Sequence, residues 1–362
     1  MVESPLADAA VRHARPLIEG DGALLERANE LLLGLEVSEQ EGGLGQLELR
    51  VINVASLPEG RAELAFEDER ELALGSALKI GMGDRTRSTE VFRGLVTGLE
   101  AGFDRGGPPS LTVLAEDTLA RARETRRTRV FADATPADLA RRIAADHGLE
   151  ADVEGLAAPR ASWVQHNESD LAFLRRALGR VDGELQVVAD RLVVRARGDQ
   201  RRGEVGLRLG GQLIEARFTA DLAHQATRIT VAGFDLGRGR RVRGDADAAA
   251  VGAGTPRSGP TLRAQVIGER EEHLAQLHAA SGEEADGIAR AALSRRAQAF
   301  VRVDGVAAGN PALRVGSTVE IEAVSARFDG RYRVVAATHR YDRREGYRTS
   351  FVAERPALGS PA

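Results

Sequence analysis

Apolar and polar residues alternate through most of the first third of the chain. LELRVIN (47–53), ALKIGMG (77–83), VFRGLVTGLE (91–100) and LTVLAE (111–116) place apolar positions two apart, and Gly-, Pro- and Asp-rich breaks separate them. That period predicts half-buried antiparallel strands over 31–130, in a sheet or barrel. The period then changes. In DATPADLARRIAADHG (133–148), Thr135 suits an N-cap, Pro136 the first helical position, Asp138 the positive end and Gly148 the stop. Leu139, Ile143 and Ala144 make one stripe. A second helix starts at Ser169 and Asp170, with Leu171, Leu174, Leu178 and Val181 at helical spacing.

ELQVVADRLVVRAR (184–197) reads as two short strands around an Ala-Asp turn. Alternation resumes in LIEARFTA (213–220) and RITVAGFD (228–235), and again from AFVRVDG (299–305) to the end. The Gly/Arg/Asp-rich stretch 237–260 has almost nothing to bury and is expected to be a mobile loop. Ser281 and Glu284 give an S-x-x-E box ahead of a helix near 283–297.

Two distant stretches resemble each other, 75–116 and 316–354. Gly75-Ser76 matches Gly316-Ser317, and Leu78 and Ile80 match Val319 and Ile321. Phe92-Arg93 matches Tyr332-Arg333, Val96 and Leu99 match Ala336 and His339, and Ala115-Glu116 matches Ala353-Glu354. The nearly constant offset argues for a duplicated β-domain, one copy before the helical insertion and one assembled after it. The expected fold is therefore α+β and β-dominated: two similar tube-like antiparallel β-barrel domains with a small helix-containing α+β insertion. The predicted division is an N-terminal segment (1–30), a first β-barrel (31–130) and the inserted domain (131–200). A second β-barrel (201–236 with 298–356) follows, broken by a mobile loop and helix insertion (237–297), and a tail (357–362) ends the chain. Three copies of such a chain present six similar modules around one axis, so a trimer offers a pseudo-sixfold face.

Composition narrows the chemistry. There is no cysteine, which excludes disulfides and thiolate chemistry. No apolar run has signal-peptide or membrane-spanning character. The net charge of −4 does not attract nucleic acid. Three arginine-rich runs, 121–129, 195–202 and 238–244, read as solvated or contact faces.

Candidate sites fail on geometry. His166, Ser169 and Asp170 lie too close in sequence for a triad, because Ser169 and Asp170 on a starting helix point about 100° apart. His273 and His278 are five apart, and a zinc helix needs four. Asp245 and Asp247 lack the other ligands of a calcium loop. No phosphate loop or nucleophile elbow is present. No residue is expected to be catalytic, cofactor-binding or metal-ligating, and no cofactor is expected.

VQHNESDLAFLRRALGRVDGELQV (164–187) resembles a stretch of the phage late-control protein D family, the baseplate hubs of contractile tails. The same region is similar to the N-terminal hub part of type VI secretion spike proteins. TPADLARRIAADHGLEADV (135–153) resembles the family's first inserted helix, and GRYRVVAATHRYDRREGYRTSFVAE (330–354) its final strands. The resemblance implies a non-enzymatic homotrimer joining a hexameric inner tube to a trimeric spike in a phage tail, tailocin or extracellular injection system. It implies as partners the inner tube protein, a spike on a separate chain and other baseplate proteins. The place it implies is the cytoplasm during assembly and then the particle, with neither nucleic-acid binding nor a membrane span. Two rival readings are a tail-associated peptidoglycan-degrading enzyme and an Arg-rich nucleic-acid-binding module.

Overall fold

Ten strands build two equivalent modules. β1 (Leu32–Gln40), β2 (Gln46–Ile52), β3 (Ala77–Asp84), β4 (Arg87–Gly102) and β5 (Ser110–Asp117) form the first. β6 (Leu213–Ala220), β7 (Val301–Ala308), β8 (Thr318–Glu322), β9 (Gly330–Asp342) and β10 (Gly346–Arg355) form the second. The computed structural model describes residues 15–56, 62–84, 87–156, 158–199, 202–251, 255–277 and 279–360. The strands form because alternate residues enter a core: Leu47, Leu49 and Val51 on β2, and Val301, Val303 and Ala307 on β7, are all buried.

Neighbours run β1-β2-β5-β4-β3 in the first module and β6-β7-β10-β9-β8 in the second, every pair antiparallel. The likeness reaches single hydrogen bonds. Gly75 N–H donates to Val96 O, and Val96 N–H to Ser76 O, both at 2.9 Å. Gly316, Val334 and Ser317 make the same two bonds at the same lengths. Both glycines have positive φ, 80° and 84°, which side-chain-bearing residues avoid. Both serine hydroxyls donate to the carbonyl three residues back at 2.7 Å. β1 slips against β2 between Leu32 and Gly34, and β6 slips against β7 between Leu213 and Glu215. β4 and β9 carry matching bulges against β5 and β10, at Val96/Gly98 and Val334/Ala336.

The structure corrects the alignment of the middle strand. Leu78 faces Gly94 where Val319 faces Tyr332, so Tyr332 corresponds to Gly94 and not to Phe92. Likewise Val96 corresponds to Val334, and Leu99 to Ala337. A slip of two residues keeps every side chain on its face, so alternation cannot detect it. The aromatic match misled for a physical reason. The Phe92 ring folds over Gly94, where an added Cβ would lie 2.7 Å from the ring.

Between β5 and β6, helices α1 (Pro136–Asp146) and α2 (Asp170–Gly179) share a core with Trp163, Leu185, Leu192 and Val194. Thr135 and Asp138 close a reciprocal capping box on α1, and Ser169 caps α2 by accepting from Ala172 N–H. The strands Gly183–Val188 and Arg191–Ala196 pair across the Ala189-Asp190 turn. Between β6 and β7, helix α3 (Gly282–Gln298) packs on a strand pair with a separate core. Ser281 caps it, while Glu284 reaches one residue further back than a capping box, to Ala280 N–H.

The stretch expected as a loop at 237–260 differs most. Arg240–Asp247 is a strand, paired along its whole length with Arg228–Asp235, and Gly259–Val266 is a helix. Its inward residues are Val242, Gly244 and Ala246, mostly too small to register as apolar alternation. Smallness is what lets α3 approach: a Cβ on Gly244 would sit 2.3 Å from Asp286 N. Both inserted units start from the same end of the modules, after β5 and after β6. The opposite end carries the turns 103–109 and 343–345.

The two serine-anchored turns give the first test. Ser317 is fully buried and Ser76 half-buried. Ser317→Ala should cost about 1–2 kcal/mol of unfolding free energy, and Ser76→Ala less, because water can replace its hydroxyl. Urea denaturation of the two variants checks the order.

Candidate assembly interface

The residues around Ser169 form a brace. His166 is exposed on the strand Ala161–Ser169, and the Ser169 hydroxyl is occupied as the α2 cap. Asp170 turns instead to a different histidine. Its carboxylate accepts from Arg129 Nη2 at 2.7 Å and Gln165 Nε2 at 2.8 Å, and lies 2.9 Å from His147 Nε2. Burial alone would raise the Asp170 pKa, but Gln165, His147 and Arg129 together hold it below the usual range. This network ties the end of α1 to the start of α2, and the Trp163 indole N–H donates to Ala134 O beside it. No hydroxyl nucleophile faces the His147–Asp170 pair in these contacts.

The other sequence candidates are also placed. His273 ends a three-residue strand, with Nδ1 3.1 Å from Thr230 Oγ1, and His278 lies outside the described residues. Asp245 pairs with Arg228 at 2.7 Å, and Asp247 accepts from the N–H groups of Ala249 and Ala250. Among the described residues, no three His, Cys, Asp or Glu side chains cluster to hold a metal.

The joint between modules is a strand pair. β1 runs antiparallel to β9, from Gly34 opposite Asp342 to Gln40 opposite Ala336, and fuses the modules into one sheet. Tyr341 and Tyr347 of the second module enter the core of the first. Glu39 sits at this joint, two residues beyond buried Val37. Its carboxylate accepts from Arg314 Nε and Nη2, both at 2.8 Å, and from Val315 N–H at 2.6 Å. Arg202 reaches the same carboxylate at 3.5 Å. Burial raises the Glu39 pKa, but Arg314 and Arg202 outweigh it and bring it to about 2. His339 lies alongside, wholly buried, and burial together with Arg314 lowers its pKa to about 3. The neighbouring cavity holds about 280 Å³, below the ~300–1,000 Å³ usual for small-molecule sites.

A second ion cluster clamps the first insert to both modules. Glu41, just past β1, pairs with Arg197 at 2.5 Å and with Arg333 on β9. Arg333 also pairs with Glu184, and Arg197 with Asp182 at 3.0 Å. Burial and the facing Glu41 carboxylate push Glu184 up to about 9. Arg180 pairs with Glu284 at 2.6 Å, linking the two inserts. Within the first two arginine runs, Arg123, Arg127, Arg129, Arg195, Arg197 and Arg202 are engaged in internal ion pairs, while the third run lines the Arg240–Asp247 strand and its turn.

Sequence reasoning missed these charges because their partners lie far apart in the chain. One signal was present: Leu35, Val37 and Glu39 share one face of β1, so a carboxylate stands in an apolar row.

The outer edge of β3 is covered by strand Leu17–Gly20, and that of β8 by Glu204–Arg208. β1 is covered by β9. Among the described residues, two of the edges that the modules have in common stay bare: β6 opposite β7, and the second half of β4 opposite β5. Exposed apolar side chains sit along β6 and along and just past β4. Leu99 is 39% and Phe103 68% accessible, and Ile214 48%.

The family model described as the Alg8 N-terminal domain matches residues 50–342. No curated protein matches the sequence. Among solved structures, the 43 kDa tail protein of prophage MuSo2 from Shewanella oneidensis superposes with a TM-score of 0.72 at 14% identity, over 95% of this chain and 99% of that one. A tail protein from Neisseria meningitidis gives 0.69 at 10% identity, over 95% and 97%. An Escherichia coli type VI secretion component, itself described as similar to two bacteriophage T4 tail proteins, gives 0.58 at 13%, over 95% and 79%. At these identities the likeness is one of fold, and the fold is that of phage tail proteins.

The joint should be acid-sensitive. The folded-state pKa of Glu39 is depressed to about 2 from 4.5, so its contribution is present above about pH 4.5 and lost as pH falls toward 2. His339, depressed to about 3 from 6.5, adds a loss that starts near pH 6.5. Glu184, raised to about 9, works the other way and gains stability as pH falls to about 4.5, which offsets the histidine, so denaturation midpoints should fall mainly below about pH 4.5. Glu39→Gln should flatten the lower part of that slope, and should cost on the order of 3 kcal/mol at neutral pH by stranding Arg314.

Proposed function

The chain belongs to the Alg8 N-terminal domain family, and from the fold it shares with phage tail proteins we propose that it is a structural hub of a contractile injection machine. In this reading three copies form an adaptor between a hexameric inner tube and a trimeric spike, and the protein catalyses nothing.

One observation carries the proposal. The two modules follow one another head to tail in a single sheet, in the order β6-β7-β10-β9 and then β1-β2-β5-β4-β3. They are related by a repeated step of one hand, unlike the two-fold relation that would turn one against the other. A repeated step that curves generates a ring, and a chain holding two steps halves the number of subunits needed. Six equivalent modules from three chains meet a sixfold partner with one set of contacts, while the two unlike inserts keep the assembly threefold. A catalytic reading has no comparable support, since the His147–Asp170 pair braces two helices.

Light scattering of the purified chain should give three times the 38.7 kDa monomer mass, and electron microscopy a closed ring with six similar lobes. A monomer at high protein concentration would remove the proposal.

A further inference from the structure

We propose that the bare edge of β6 in one copy pairs with the bare half of β4 in the next, in the register that β1 keeps with β9 inside the chain. This deepens the hub reading and rests on it for the number of copies, while the joint itself follows from the duplication.

Edge accounting selects the partner. Each module has the same edges, and the described residues satisfy all but two of these shared edges from within the chain. The remaining two are complementary: β6 is the equivalent of β1, and β4 of β9. An uncovered, partly apolar strand edge is a template for pairing, and β1–β9 shows what such an edge pairs with. The correspondence fixes the register. Within the chain Gln40, Ser38 and Glu36 face Ala336, Thr338 and Arg340. Carried over through the matched β1–β2 and β6–β7 ladders, Asp221, Thr219 and Arg217 of one copy face Gly98, Glu100 and Gly102 of the next.

Exposure supports the same pairing. Leu99 corresponds to Ala337, and Phe103 to Tyr341. In the completed joint Ala337 is 1% and Tyr341 8% accessible, against 39% and 68% for their counterparts at the bare edge. Leu99 and Phe103 are exposed because the strand that would cover them belongs to another copy.

The two joints differ in chemistry. Glu39 corresponds to Ala220, Arg314 to Ala73 and His339 to Ala101, so nothing replaces the buried ion network. The Glu36–Arg340 pair corresponds to Arg217 and Gly102. The joint inside the chain is locked by charge, and the joint between copies is held by the backbone ladder and apolar contact.

The chain lacks cysteine, so engineered pairs report without background. With Thr219→Cys and Glu100→Cys together, mild oxidation of the full-length protein should give covalent multimers up to the closed ring. Opposed residues on paired strands lie within disulfide reach. Thr219→Cys with Thr112→Cys should not cross-link, because Thr112 sits one strand further in, on the far side of Glu100. Phe103→Asp, at a site exposed within a single copy, should leave the melting curve of the fold unchanged and weaken association by about 100-fold. If the ring forms but the first pair stays reduced, or if Phe103→Asp assembles as before, the register is wrong while the hub reading stands. If the protein is monomeric, both fall.

Discussion

The hydrogen-bonded ladder between β1 and β9 is the constraint on which the rest of the molecule depends. A sheet edge buried against another module must find partners for its N–H and C=O groups, and this ladder supplies them along seven residues of β1. It fixes the angle and spacing between the modules, and so the step by which one follows the other. Glu39 and its arginines sit at the end of that ladder, where the strand leaves the sheet and water would otherwise enter.

Buried charge serves here to fix geometry more than to add stability. Arg314, Arg202, Arg197 and Arg333 each reach a carboxylate contributed by a distant part of the chain. Stripping water from such groups costs nearly as much as pairing returns, but any misplacement leaves a charge unpaired, which is far worse. The first insert is therefore held in one orientation against both modules. A purely apolar contact of the same size would tolerate sliding.

What could be read in the sequence follows from how local the determinants are. Thr135, Pro136 and Asp138 define α1 among themselves, and Ser169 with Asp170 defines the start of α2, so both helices were legible. The repeat was legible because strand alternation and the Gly-Ser turns survive in both copies. Its register in β4 was not, since Phe92 covers Gly94 from two residues away. The Arg240–Asp247 strand was hidden because it buries Gly244 and Ala246, residues that carry little hydrophobic signal. Partners such as Glu39 and Arg314 are joined only by the finished fold.

The two inserts leave from one end of the modules, and the turns at 103–109 and 343–345 close the other. Lengthening the chain by insertion at the crowded end leaves the contour of the plain end untouched. Extra chain can thus be accommodated at the crowded end without altering the shape of the plain one.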